Sequence, residues 1–180
     1  MRALSLMFTV AVFLLMTAAV LSAQMQMSDS DYTQKAMAAA PPAVGQDATI
    51  VRMDMSSGSM QTLRSGTNGF SCMVMGTEAM CNDANSMAFF GAMMKHQTPT
   101  DKTGISYMLL GDDGGSNTDP YARDKTADNH WIVTGPHIML TGAAAKTMGF
   151  TEAKDPDPGK PYMMWAGTPY EHAMIPVSAK

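Results

Sequence analysis

The chain has 180 residues, with 16 acidic and 12 basic side chains and a formal charge of −4. That balance, with no basic run anywhere, argues against nucleic acid or an anionic membrane surface as a partner. The length suits one domain with one core once a leader is set aside.

Residues 1–24 carry a single charge, Arg2. An apolar run follows at 4–16, then the small residues Thr17, Ala18, Ala19, Ser22 and Ala23. A charged start, an apolar middle and a small-residue exit make a secretory signal peptide, so cleavage is expected after Ala23. Export to the periplasm or the extracellular space follows, with no stable membrane anchor afterward. Gln24 stands where a lipidated cysteine would have to be. Loss of Arg2 leaves 11 basic against 16 acidic side chains, formally −5.

Residues 24–45 are rich in Gln, Ser, Ala and Pro and poor in large apolar side chains. They read as a flexible leader or linker. Ser28-Asp-Ser-Asp31 can cap a short helix that Pro41-Pro42 stops. The globular domain is expected at 46–180. Val51, Met53 and Met55 alternate with Arg52 and Asp54, the pattern of a half-buried strand. Ser56-Ser-Gly-Ser59 is a turn and 60–64 the returning strand.

Residues 70–75 are an apolar strand. Residues 83–96 are the main helix, with Asp83 or Asn85 as cap and Met87, Phe90 and Met94 on one face. A strand is expected at 103–111. The polar loop 112–119 has oxygen donors suited to calcium but lacks the ordered EF-hand pattern. His130-Trp-Ile-Val-Thr and His137-Ile-Met-Leu-Thr read as strands, and 141–148 as a short helix capped by Thr141. The tail, Pro161 to Pro176, reads as two extended segments joined by Ala166-Gly-Thr-Pro169, a turn that Gly167 permits.

Cys72 and Cys81 are the only cysteines. In an exported chain an even count reads as a disulfide. Closing a loop of about ten residues contributes about 2.5–3 kcal/mol in the chain-entropy model.

Methionine is the compositional oddity, with 21 residues in all and 18 beyond position 23, against four leucines there. Methionine replaces leucine at little cost, so the first reading is core filling. Thioethers are also soft donors that suit Cu(I). On that alternative, the candidate ligands are Met53, Met55, Met73 and Met75, which form two Met-x-Met pairs, and the histidines His130, His137 and His172. Those histidines could instead make a three-histidine zinc or copper site, or supply a general base. Trp131, Trp165 and Tyr170 lie near them in sequence and form a possible ligand site. No nucleophile elbow, zinc-protease motif, haem motif or phosphate loop occurs.

Three segments resemble a family of uncharacterised exported bacterial proteins. They are Ser116-Asn-Thr-Asp-Pro120, His130-Trp-Ile-Val-Thr-Gly-Pro-His-Ile-Met139 and Met164-Trp-Ala-Gly-Thr-Pro-Tyr-Glu-His-Ala-Met-Ile-Pro-Val177. The resemblance runs from about Arg64 to the end. It implies export and a shared fold, and no reaction.

The expected fold is α+β: a single domain with a mainly antiparallel sheet of five to seven strands, one main helix and one short helix. Trp131 and Trp165 are expected to be largely buried. The expected function is a non-catalytic exported domain that binds a small ligand or a protein partner, or is associated with the envelope, with no cofactor. The alternatives are a Met-rich Cu(I)-binding protein and an enzyme built on His130, His137 and His172.

Overall fold

The computed structural model describes residues 27–54 and 57–177. The leader expected at 1–23 and the candidate ligand Met55 lie outside the described residues. The chain divides after Asp31 into two units. Of the first, only Met27–Asp31 are described. There Ser28 Oγ donates to the Asp31 carboxylate and accepts the Asp31 N–H, closing a helix start.

The described elements are α1 (Asp29–Ala38), α2 (Pro42–Gly45), β1 (Thr49–Met53), β2 (Met60–Arg64), β3 (Ser71–Met75) and β4 (Glu78–Asn82). They continue with α3 (Ala84–Met94), β5 (Gly104–Met108), β6 (Gly115–Ser116), β7 (Trp131–Ile132) and β8 (His137–Thr141). The last are α4 (Ala143–Lys146), β9 (Tyr162–Met164) and β10 (His172–Pro176).

The fold is α+β, as expected. One eight-stranded sheet runs β2-β1-β3-β4-β5-β8-β10-β9, and β6 and β7 form a small second sheet. Every neighbouring pair is antiparallel except β1 and β3.

Several local expectations need correction. The main sheet exceeds the expected range because β4 was not anticipated: Glu-Ala-Met-Cys-Asn has no β-branched residue and runs straight into α3. The segment from Tyr32 to Gly45 is not a loose linker. Tyr32, Ala36, Ala39 and Ala40 are buried against Ile50, Val74 and the cysteines. Alanines let a helix approach a sheet closely, so burial here needs no large side chains. The expected strand at 130–134 shrinks to two residues in the small sheet, and 141–148 shrinks to α4, capped at Gly142 while Thr141 completes β8. Trp131 and Trp165 are only partly buried.

Period-two alternation gives the main sheet two faces. The first buries Ile50, Cys72, Val74, Ala79 and Cys81 under α1. The second buries Val51, Met73, Met80, Met108, Met139 and Met174, with Met87 and Phe90 of α3 packed on it. Asp83 caps α3 by accepting the Ser86 N–H at 2.7 Å. The first turn of α3 can lie on β5 because position 104 is glycine: a Cβ there would run into the Ser86 backbone nitrogen and Thr141 Oγ1.

Cys72 and Cys81 face each other across β3 and β4 and form the disulfide. Among the described residues, no helix is long and apolar enough to cross a membrane.

The Tyr32 hydroxyl fills the gap where β1 and β3 part. It accepts the Val74 N–H at 2.9 Å and donates to the Val51 carbonyl at 2.9 Å. Tyr32→Phe leaves that buried N–H without a partner and should cost about 1–3 kcal/mol in urea unfolding. An unchanged midpoint would mean that α1 does not support the domain. Replacing both cysteines by alanine should lower stability by about 2.5–3 kcal/mol, read in the same assay.

Candidate functional site

The second face of the sheet holds a cavity of about 170 Å³ that opens to solvent. Seven of its fifteen lining residues are methionines. Met80, Met108, Met139, Met164 and Met174 come from five different strands, and Met75 and Met93 complete the set.

The floor is laid by the pairing of β8 with β10. Each strand carries a His-x-Met sequence, His137-Ile-Met139 and His172-Ala-Met174. The strands are antiparallel and Met174 faces Met139, so the methionines meet in the middle and the histidines stand at opposite ends. Beside them, Met108 faces His137 in the β5–β8 register, and Met164 faces His172 in the β9–β10 register. Each imidazole therefore has one thioether two residues along its own strand and another directly across.

Both rings are oriented from behind. His137 Nδ1 lies 2.7 Å from the Gly135 carbonyl, and His172 Nδ1 lies 2.9 Å from the Tyr170 carbonyl. A carbonyl only accepts, so each Nδ1 carries the proton and each Nε2 keeps its lone pair. His137 is fully buried, and its Nε2 has no hydrogen-bond partner among the described residues. Leaving a buried acceptor unpaired costs about 1–3 kcal/mol, which asks for a reason. Metal-binding histidines are held in this way, with one ring nitrogen on a carbonyl and the other free.

Burial keeps both rings neutral. It pushes His172 down to about 4 and holds His137 below its usual value. Phe89, Phe90 and Trp165 enclose the His172 ring, the indole centroid being 4.8 Å away at 68°. Trp165 has a φ of 56°, rare outside glycine. Its backbone N–H donates to the Asn117 carbonyl and its indole N–H to the Ser116 carbonyl, which fix the ring there. Glu78 and Asp112 also line the cavity, and desolvation raises both carboxyls above their usual range. The Glu78 charge acts on His137 in the direction that favours a cation.

The expected three-histidine site does not form. His137 and His172 share the cavity, whereas His130 is held by both oxygens of Asp155 at 3.0 Å. Of the ligand group Trp131, Trp165 and Tyr170, only Trp165 lines the cavity. Trp131 pairs with Ser116 in the small sheet, and the Tyr170 hydroxyl accepts from Tyr121 at 2.8 Å. The carboxylates of the polar loop each accept a hydrogen bond from within the chain. Asp112 accepts the Thr134 N–H, Asp113 accepts from Thr77, and Asp119 accepts the Tyr121 N–H. Among the described residues, no group of three or more His, Cys, Asp or Glu could hold a metal ion. Met53, Met73 and Met75 gather at a second, smaller cavity, and Met75 lines both.

Sequence reasoning missed Met80, Met108, Met139, Met164, Met174, Glu78 and Phe90. The signal that could have found four of the cavity's residues is the repeated His-x-Met.

No family model, curated protein or solved structure matches the chain.

Unfolded, His172 takes up a proton near pH 6.5; folded, it does so only near 4. The unfolded state therefore binds more protons between those values, and stability falls as pH drops from about 6.5 to about 4. Urea midpoints of the metal-free protein should decline through that window, and less so in His172→Gln. Parallel declines would remove His172 as the source.

Proposed function

We propose that the chain is an exported Cu(I)-binding protein, with the ion held in the larger cavity by the His137 Nε2 and neighbouring thioethers. His172 offers a second nitrogen at the far end of the same floor.

The observation that carries this reading is the uneven placement of methionine. Among the described residues, six of the nine buried in the second-face cluster are methionines and none of the ten in the first-face cluster is, although Met37 packs against its edge and Met163 is buried in a third cluster. Core filling in place of leucine has no reason to prefer one face. A soft-donor surface does, and the preferred face is the one that also carries the two neutral imidazoles.

The chemistry of the donors then selects the ion. Thioethers are neutral and soft, and together with imidazole they suit Cu(I). Structural zinc asks for four donors drawn from thiolate, imidazole and carboxylate; the cavity lining includes two imidazoles and two carboxylates, but among the described residues no three of them come together as a group that could hold a metal ion. A monovalent ion needs little compensating charge, and Glu78 and Asp112 supply negative potential beside His137. Because burial already disfavours the imidazolium forms, protons compete weakly for Nε2 at neutral pH. The residues 130–139 and 164–177, which carry the family resemblance, supply His137, Met139, Met164, Trp165, His172 and Met174. The leader and the disulfide fit the oxidising compartment that the reading requires.

The test is titration of the purified domain with Cu(I) against a coloured competing chelator. At least one equivalent should be withdrawn from micromolar chelator, and His137→Ala should lower the affinity at least tenfold. Zn(II) should not compete. No withdrawal by the wild type would overturn the proposal and leave the cavity to a small apolar ligand.

A further inference from the structure

The smaller cavity is a different kind of site. It measures about 70 Å³, and eight of its eleven lining residues are methionines. Among the described residues, the only polar side chain on its wall is Asn82, which is buried and already accepts from Ser106 Oγ at 2.5 Å. Its donors come from both sides of the gap between sheet and helix. Met53 and Met60 face each other across β1 and β2, and Met73 faces Met80 across β3 and β4. Met87, Met93 and Met94 come from α3.

Two further features set it apart from an ordinary core pocket. Met60 and Met94 line it yet are 52% and 41% exposed, so thioethers reach solvent at its rim. Gly91 sits on its wall in the interior of α3, where glycine weakens a helix relative to alanine. A Cβ at Gly91 would meet nothing within 4 Å. No packing contact therefore demands glycine, and its effect is to keep the space between Met87 and Met94 open.

The two cavities also share walls. Met75, Met80, Met93 and Phe90 line both. Methionines thus line both cavities, from the exposed Met60 and Met94 of the smaller to Met108, beside His137, in the larger.

We propose that the smaller cavity is a second Cu(I) site, built from thioethers alone, through which the ion reaches the His137 cavity. This rests on the function proposed above. The ion is captured at Met60 and Met94 and handed inward over Met75, Met80 and Met93. At each step a new sulfur–copper bond forms as an older one breaks. Copper stays monovalent throughout, and no electron or proton moves. The imidazole at the end of the lane binds more tightly than the outer sulfurs and gives the transfer its direction. An all-thioether opening also admits Cu(I) and refuses Cu(II), which prefers nitrogen and oxygen donors in tetragonal geometry.

The experiment compares three proteins: wild type, Met60→Leu/Met94→Leu and His137→Ala. Leucine keeps the volume of methionine and removes the sulfur, so the double variant should fold. Cu(I) is delivered from the coloured chelator, equilibrium is read by titration and loading by stopped-flow absorbance. Wild type should take a tight and a weak equivalent. The double variant should lose the weak equivalent, keep the tight one at wild-type affinity, and load at least tenfold more slowly. His137→Ala should keep the weak equivalent, with sulfur-only coordination by X-ray absorption. A Gly91→Leu variant, which puts a side chain into the cavity and removes no sulfur, should slow loading in the same way.

The two proposals fail separately. If the double variant keeps both equivalents and loads at the wild-type rate, the outer site is wrong and the His137 site stands. If His137→Ala binds as tightly as wild type, the inner assignment is wrong. If wild type takes no Cu(I), both fall.

Discussion

A sheet covered on both sides must divide its residues by parity, and that constraint governs this molecule. On β3, Cys72 and Val74 turn one way and Met73 and Met75 the other; on β4, Ala79 and Cys81 turn away from Met80. The face under α1 is built of alanine, branched aliphatics, tyrosine and a disulfide. The face under α3 is built of thioethers and two imidazoles. A one-residue slip in register would mix the two sets, so the hydrophobic pattern that fixes register also sorts the chemistry.

Much of this was legible in the sequence, and the gaps have physical causes. The β1–β2 hairpin, the Asp83-capped helix, the tail hairpin and the cysteine pair all carry local signals: alternation, a cap, turn residues, an even count. The strand β4 carries none, because its alanine, methionine and cysteine are neutral as to element type. The burial of Tyr32 to Gly45 was hidden for another reason. Alanine adds little to a hydrophobic pattern, whereas Ala36 lets the helix come close to the sheet and Ala39 is buried just past its end. The site was half visible. His137 and His172 stood out, but their pairing into one floor depends on β8 lying beside β10, a neighbourhood that only the sheet order supplies.

The methionines answer a question that composition left open. Buried thioethers agree with the core-filling expectation, since Met73, Met108, Met139, Met163 and Met174 are all at most 4% exposed. Their concentration on one face does not: Met73, Met108, Met139 and Met174 share the second face, while Met163 lies in a separate cluster and Met37 packs at the edge of the first. A residue can fill volume and donate a lone pair at once, and flexible, polarizable methionine is the apolar side chain suited to both. The two roles compete only when sulfur must move to meet a ligand, and the open space at Gly91 and the cavity above the Met139–Met174 pair are where such movement is possible.

The disulfide lies behind the thioether wall, joining the same two strands from the reverse side. Met73 and Met80 sit next to Cys72 and Cys81 in sequence, yet the thickness of one backbone separates the oxidised sulfurs from the reduced ones. The covalent rivet therefore stiffens the hairpin without offering a thiolate to whatever enters the cavity. The two strands that carry Met73 and Met80 are thus tied together by a bond that takes no part in the cavity itself.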